Sequence, residues 1–176
     1  MNLFDKIQNL KIIGKKVVLD DITDKDKYIY YDLYTNDNLN KFWGYDYKED
    51  APKNPTPDYF LDFCNALKIA QEEYSYAIRL NGKMIGEFVL HNFEENSFEI
   101  GFRVLVDYQG KGYVKDAVTS FIEFMKQNIK PAFIKAKCFK QNISSNNLLL
   151  KCGFKNYISD DTYNYFIIKI NKLRAD

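Results

Sequence analysis

The stretch SFEIGFRVLVDYQGKGYV, residues 97–114, decides the fold, because it joins a strand, a glycine-containing turn and the start of a helix. From Phe98 to Phe102, apolar residues alternate with polar or small ones, which is the two-residue period of a strand. Gly110 and Gly112 then precede a segment with helical periodicity. Backbone N–H groups at the start of a helix lack internal partners, and the helix dipole favours an anion there. The pattern therefore predicts a pyrophosphate site.

Working outward, the sequence predicts a mixed α/β fold in one domain, residues 1–176, with a short lead-in at 1–14 and a core at about 16–170. Asn81-Gly82 joins two strand-like runs and is a strong hairpin signal. We expect a mostly antiparallel central sheet of six to seven strands with helices packed on both faces. The predicted strands are 16–20, 75–80, 83–91, 97–106, 133–139, 154–158 and 163–170. A first helix is predicted to start near Thr23, and three more are predicted at 58–73, 112–128 and 145–152. A long loop is predicted over 36–57.

Composition excludes several classes of function. The 25 Lys and Arg residues balance 24 Asp and Glu, and only three of the basic residues are Arg, so no nucleic-acid partner is expected. Cys64, Cys138 and Cys152 form no CxxC or Cys/His grouping, so neither a disulfide framework nor a metal site is predicted. No apolar run approaches the roughly 18 residues of a membrane span. We therefore expect a cytoplasmic protein with no membrane partner.

Two motifs resemble a known family. Gln109, Gly112 and Val114 lie at the defining positions of Q/R-x-x-G-x-G/A, the acetyl-CoA signature of the GNAT acetyltransferase superfamily, although Val114 departs from the usual Gly or Ala. Residues 142–154, NISSNNLLLKCGF, resemble the N-x-x-S-x-x-x-L-x-K-x-G-F segment of its RimJ/RimL-like branch. The resemblance covers about 16–170 and is loose over 36–74.

This resemblance implies an N-acetyltransferase that uses acetyl-CoA as co-substrate, needs no metal and works as a monomer or homodimer. The acetyl group would pass by direct attack in a ternary complex to a primary amine, either a protein N-terminal α-amine or a small amine or polyamine. A strand backbone, the glycine loop and one Asn would bind the cofactor. In this sequence these residues are Phe102, Arg103, Val104, Gln109, Gly110, Lys111, Gly112, Tyr113, Val114 and Asn142.

Acetyl transfer needs a neutral amine, and an amine is mostly protonated at pH 7, so a base is required. Glu99 is the main candidate, because strand alternation places it opposite the apolar side chains and the family often has a carboxylate there. The alternative is an ion pair between Glu99 and Arg103 or a Lys on the next strand. Glu94 and Glu95 are weaker candidates for the base, and His91 is expected to end a strand instead.

Ser145 matches the branch's candidate proton donor for the leaving thiolate, and its alternative role is a helix N-cap. Cys138 and Cys152 lack a partner base, so a covalent acetyl-cysteine intermediate is not expected.

The residues Trp43, Tyr45, Asp46 and Tyr47 are expected to pack within their loop; the alternative is an aromatic, mildly acidic lid over an amine. Two other functions stay open: a CoA-binding module without turnover, and a phosphate-binding regulator unrelated to CoA.

Overall fold

A computed structural model describes residues 2–170 of the chain. The helices are α1 (Leu3–Ile7), α2 (Lys27–Thr35), α3 (Asp37–Asn40), α4 (Pro57–Ile69), α5 (Tyr113–Phe124) and α6 (Ile143–Lys151). The strands are β1 (Ile12–Ile13), β2 (Val18–Asp21), β3 (Glu73–Leu80), β4 (Lys83–His91), β5 (Ser97–Val104), β6 (Phe133–Phe139), β7 (Lys155–Ser159) and β8 (Tyr163–Lys169). A π-helical turn, Met125–Ile129, extends α5.

The strands form one eight-stranded sheet in the order β1-β2-β3-β4-β5-β6-β8-β7. Every neighbouring pair is antiparallel except β5 and β6, which run parallel. The predicted mixed α/β fold is confirmed. The sheet has one strand more than expected, because the two-residue β1 pairs with β2 through Ile12 and Leu19.

The two faces of the sheet are covered by different helices, as the alternation of side chains requires. On one face Tyr76 and Ile78 of β3 lie in the core cluster that also contains Phe121 of α5. On the other face Ala77 belongs to a second cluster with Tyr30 of α2 and Phe60 of α4. Fully burying a side chain such as Phe121 contributes about 1.5–3 kcal/mol, so these two layers hold the sheet in place.

Local chain signals explain most element boundaries. Asn81 and Gly82 have φ values of 51° and 81°, which is the left-handed pair of a two-residue hairpin. The expected loop at 36–57 is more ordered than predicted. It contains α3, which begins where the Asn36 side chain accepts hydrogen bonds from the backbone N–H groups of Asn38 and Leu39. A short-range cap of this kind is sufficient to start a single helical turn.

Strands β5 and β6 separate halfway along their length. They pair only where Ser97–Ile100 meet Phe133–Ala136, although β5 continues to Val104 and β6 to Phe139. The second half of β5 therefore has unpaired backbone groups on one edge. This divergence opens the centre of the sheet between its two faces and positions the site described next.

Candidate active site

The glycine loop leads from the end of β5 into the start of α5. Gly110 and Gly112 have φ values of 71° and 80°, and a Cβ at Gly110 would meet nothing within 4 Å, so the loop presents bare backbone to one side. Gly112 is the N-cap of the twelve-residue helix α5, whose first N–H groups have no internal partners. Val114 is partly buried and packs against the core, and it also lines the cavity described below.

Two side chains hold this loop in position. The Gln109 amide donates a hydrogen bond of 3.4 Å to the carbonyl oxygen of Val104, which ties the loop to the end of β5. The Lys16 ammonium donates a hydrogen bond of 3.1 Å to the carbonyl oxygen of Lys111. The sequence analysis did not identify Lys16, because its hydrogen bond to Lys111 joins residues 95 positions apart and leaves no local sequence pattern.

A cavity of about 630 Å³ lies along the loop and the unpaired half of β5. Nine of the ten residues expected to bind the cofactor line it, and the structure therefore brings them together. The exception is Lys111, whose exposed side chain extends over the Tyr108 ring, with its ammonium 5.9 Å from the ring centroid. The nine lining residues are Phe102, Arg103, Val104, Gln109, Gly110, Gly112, Tyr113, Val114 and Asn142.

We call this first cavity the cofactor cavity, because the groups that line it suit the chemistry of acetyl-CoA. Backbone N–H groups at the start of α5 match a pyrophosphate. The unpaired edge of β5 offers donors and acceptors to an amide-containing arm. A groove of about 700 Å³ between residues 12–16 and α5 also borders Gly112, but β5 and α6 contribute nothing to it. The cavity along β5 therefore has the groups that a CoA ester requires, and the groove lacks those of β5 and α6.

A second cavity of about 260 Å³ lies where β5 and β6 separate, and we call it the acceptor cavity. Its floor includes Glu99 and Gly101 of β5, and its wall includes Trp43 from the 36–57 segment. The two cavities share five lining residues. These are Phe42, Trp43, Phe102, Asn142 and Ser145.

Glu99 faces the acceptor cavity with its side chain 16% exposed. Its Oε2 accepts a hydrogen bond of 3.2 Å from the Asn92 amide, and its Oε1 lies 4.0 Å from Nε2 of His91. The alternative ion pair with Arg103 is wrong, since Arg103 binds Glu87 instead. In the described part of the chain, Glu99 has no Lys or Arg partner and is left facing the cavity.

The other candidate bases are placed differently. Glu94 lies outside the acceptor cavity, where its carboxylate pairs with the Lys135 ammonium at 2.8 Å. Glu95 is exposed in the turn after β4 and lines neither cavity. His91 is the last residue of β4, as expected, yet it also lines the acceptor cavity beside Glu99. Burial lowers the pKa of His91, which favours the neutral imidazole.

Helix α6 carries Ser145 to the junction of the two cavities. The predicted helix start at Ser145 is wrong, because α6 begins at Ile143. The alternative role of Ser145 as N-cap is also wrong, since Asn142 is the cap and its Oδ1 accepts a 3.2 Å hydrogen bond from the Ser145 N–H. Among residues 2–170, the Ser145 hydroxyl makes no hydrogen bond of its own. The buried Asn146 anchors the helix start, since its amide donates to the carbonyl oxygens of Phe139 and Asn142 at 2.9 and 2.7 Å.

Cys138 lines the acceptor cavity, but it is a poor nucleophile. Burial raises the pKa of its thiol to about 12, so the thiolate is scarce at neutral pH. Burial also raises the pKa of the Cys152 thiol, and Cys152 lines neither cavity.

A buried ion pair that sequence reasoning missed supports the cavity wall. Glu87 is fully buried on β4, and its Oε2 lies 2.9 Å from Nε of Arg103. The Arg103 guanidinium also donates to the Asn40 side chain and stacks 4.1 Å from the Trp43 ring. The only sequence signal was a single Glu within the apolar strand segment 84–90. Because burying an unpaired carboxylate costs much free energy, such a residue indicates a buried partner. Arg103 thus fastens the 36–57 segment to the sheet.

The aromatic side chains of the 36–57 segment pack, as expected, and one of them also covers the site. The ring of Tyr45 stacks on Phe63 at 6.0 Å, and Tyr47 meets Phe60 edge-on at 5.3 Å. Trp43 lies over Gly101, whose missing side chain leaves room for the ring. Packing of the aromatic rings within this segment, as expected, is therefore compatible with an aromatic cover over the cavity.

Glu73, the first residue of β3, is a second carboxylate in the acceptor cavity that sequence reasoning did not single out. Burial and the neighbouring carboxylate of Glu87 raise the pKa of Glu73 to about 7. The sequence analysis placed Glu73 at the end of the helix predicted over 58–73. This boundary is wrong, because α4 ends at Ile69 and Glu73 begins β3.

Comparison with known proteins gives a consistent result. A family model described as an acetyltransferase (GNAT) domain matches residues 16–155. YnaD of Bacillus subtilis (strain 168), described as an uncharacterized N-acetyltransferase, is 29% identical over 85 residues, which make up 48% of this chain and 50% of YnaD. The chain thus spans about half the length of that relative.

Two solved structures share the fold. RimJ from Mycobacterium smegmatis, in complex with CoA-disulfide, matches with a TM-score of 0.75 and 16% identity over 92% of this chain and 88% of that one. The spermidine N-acetyltransferase from Vibrio cholerae, in complex with CoA and spermine, matches with a TM-score of 0.72 and 16% identity over 89% and 97%.

The fold and the glycine loop define the class of protein, which is that of proteins with an acetyltransferase domain of the GNAT type. The chain belongs to the GNAT family of acetyltransferases, since the family model covers most of its length. RimJ and the spermidine N-acetyltransferase are both 16% identical to this chain, so each of these likenesses concerns the fold. No helix within residues 2–170 is long and apolar enough to cross a membrane.

Proposed function

We propose that this protein transfers the acetyl group of acetyl-CoA directly to a small primary amine held in the acceptor cavity. The observation that carries the proposal is the shared wall of the two cavities, at which Phe102, Asn142 and Ser145 face both sides. A thioester at the end of the cofactor cavity would meet an amine on the other side of this wall. Holding the two reactants in contact is itself a large part of catalysis.

The residues around the junction have the chemistry that the reaction requires. Glu99 accepts one proton from the substrate ammonium and leaves a neutral amine. The amine nitrogen forms a bond to the thioester carbonyl carbon, and the carbon–sulfur bond then breaks. The Ser145 hydroxyl gives its proton to the thiolate and takes the second proton of the nitrogen in its place. Glu99 then releases its proton to solvent. The buried thiol of Cys138 stays protonated, in keeping with direct attack.

The size of the acceptor cavity favours a small amine over a protein N-terminus. Its 260 Å³ lies below the usual range of about 300–1,000 Å³ for ligand pockets. Trp43, held by its contact with Arg103, forms part of the wall of this small cavity.

The test is the rate of CoA release from acetyl-CoA, followed with a thiol reagent, across small amines and peptides with free N-termini. We expect release to depend on a small amine, and mass spectrometry should show no acetylated protein when the amine is left out. The lines of a double-reciprocal plot should intersect. Faster release with peptides would contradict the proposed acceptor, and parallel lines together with an acetylated Cys would contradict direct attack. Acetyl-CoA binding without turnover would favour a binding module.

A further inference from the structure

Three side chains form a row across the floor of the acceptor cavity. Glu73 on β3 is the register partner of His91 on β4, and His91 is the partner of Glu99 on β5. Directly opposite residues of antiparallel strands point to the same face, so all three side chains lie on the cavity side. With neighbouring strands about 4.8 Å apart, the Cα atoms of the two carboxylates are about 10 Å apart.

Two cations lie near this row, Arg103 and Lys137, and Lys137 also lines the acceptor cavity. The Arg103 guanidinium is bound to Glu87, which also receives hydrogen bonds from Tyr30 at 2.9 Å and Ser75 at 3.2 Å. The Lys137 ammonium lies 4.8 Å from the centre of the Tyr163 ring. Within residues 2–170, neither carboxylate at the ends of the row has a Lys or Arg ion-pair partner.

The two ends of the row have different neighbours. Glu99 is on β5, which borders the gap between β5 and β6, and it lines the same cavity as Ser145 and Asn142. Glu73 is on β3, two strands farther from this gap, and like Glu99 it lines the acceptor cavity but not the cofactor cavity. Among residues 2–170, the one hydrogen bond that Glu73 makes to a side chain is a long one of 3.4 Å, donated by the Ser75 hydroxyl. A carboxylate this weakly satisfied gains most from a cationic ligand.

Resting on the proposed function, we propose that Glu73 determines substrate specificity by binding a second positive charge on the amine. The acceptor is then a diamine or a longer polyamine, with the reacting nitrogen at Glu99 and a second ammonium several bonds away at Glu73. The neutral His91 between them separates the two carboxylates without competing for either charge. Trp43 and Tyr45 line the same cavity and give it a partly aromatic wall.

The test compares 1,5-diaminopentane with 1-aminopentane, which has the same chain and lacks the second charge. The parent should show a kcat/KM for the diamine at least about tenfold higher, which corresponds to about 1.4 kcal/mol. In Glu73→Gln this ratio should fall toward one, mainly through KM, and Glu73→Asp should recover part of it. Glu72→Gln is the matched control, since Glu72 is exposed and lines neither cavity, and its ratio should equal the parent's.

Two outcomes would overturn the proposal: a parent that does not prefer the diamine, or a Glu73→Gln variant that keeps the preference. Calorimetric titration of both amines in the presence of CoA gives a second readout that requires no turnover. If acetyl-CoA is not bound, or no amine releases CoA, the proposed function fails. The calorimetric comparison still decides the role of Glu73, because equal affinity for the two amines would contradict it.

Discussion

At the scale of single residues, the cavity wall depends on a buried charge pair. Glu87 and Arg103 are almost completely buried, and Arg103 also holds Trp43 and Asn40. A buried pair of this kind contributes little net stability, but removing one partner leaves the other charge unpaired in a poorly solvated position.

Arg103→Met should therefore lower the free energy of unfolding by about 3–5 kcal/mol, measured by urea denaturation. In Glu87→Leu combined with Arg103→Met, much of this loss should be recovered, because no buried charge remains. A single variant as stable as the parent would show that Glu87 is solvated in the native state.

At high pH, the ionised Glu73 should lower the free energy of unfolding, as residues of binding sites often do. Its pKa is about 7 in the folded protein against 4.5 as a free side chain, so between these values the folded state binds more protons than the unfolded state. The contribution of Glu73 to the free energy of unfolding therefore falls as pH rises from about 4.5 to about 7. The ionisable groups facing Glu73 are Tyr34 of α2, Cys64 of α4, Glu87 and His91 of β4, and Arg103 of β5.

Glu73→Gln removes this titration. At pH 8 its Tm should exceed that of the parent by about 2–4 °C, which corresponds to roughly 1 kcal/mol for a domain of this size. At pH 4.5 the two Tm values should agree. A constant difference at both pH values would mean that the substitution changes packing instead. Since both proteins share Glu87 and His91, the comparison isolates Glu73.

At the scale of elements, two residues at the start of α6 divide between them the roles of helix cap and of hydroxyl group at the cavity junction. Ser145 alone could have filled both. Asn142 caps the helix, whereas the Ser145 hydroxyl is free at the cavity junction.

Asn142→Ala should therefore cost about 1 kcal/mol of unfolding free energy, and Ser145→Ala close to none. Ser145→Ala should instead lower kcat by about tenfold at pH 7, with a smaller loss above the ordinary thiol pKa of about 8.5, where the thiolate needs no acid. Thermal unfolding and pH-rate profiles measure the two effects. Unchanged kcat in Ser145→Ala would remove Ser145 from the mechanism.

The close contact of β4 with β5 requires a glycine. A Cβ at Gly86 would lie 2.6 Å from Cγ1 and 2.9 Å from Cα of Val104, whereas a Cβ at Gly101 would be no closer than 3.5 Å to Trp43.

Gly86→Ala should thus push the end of β5 outward, lower the unfolding free energy by about 1–3 kcal/mol and weaken acetyl-CoA binding in calorimetry. Gly101→Ala, on the adjacent strand, is the matched control for stability and should unfold within about 1 kcal/mol of the parent. Equal stability of the two variants would mean that the strands separate at no cost.

The sequence predicted those elements whose signals are local. The hairpin at Asn81-Gly82 and strand β6 at 133–139 agree with the structure, because turn chemistry and alternation act over a few residues. The start of α6 was misplaced, since Asn142 and Ser145 are both good caps and sequence alone does not choose between them.

At the scale of the whole molecule, the site depends on contacts between distant parts of the chain. The glycine loop and Glu99 lie within one continuous stretch, which made them predictable. Glu73 and Arg103 acquire their roles only when β3, β4 and β5 are paired and the 36–57 segment lies across them. Such long-range pairing leaves no local sequence pattern. Neither the row of Glu73, His91 and Glu99 nor the contact between Trp43 and Arg103 could therefore be predicted.

The most direct test of the central claim, acetyl transfer at the junction of two cavities with Glu99 as base, compares Glu99→Gln with Glu95→Gln. Both variants remove one carboxylate, but only Glu99 lines the acceptor cavity. With 1,5-diaminopentane and saturating acetyl-CoA at pH 7, Glu99→Gln should lower kcat by about 10²–10⁴-fold, while calorimetry shows acetyl-CoA binding unchanged. Glu95→Gln should match the parent. A Glu99→Gln variant that turns over at the parent's rate would contradict the account.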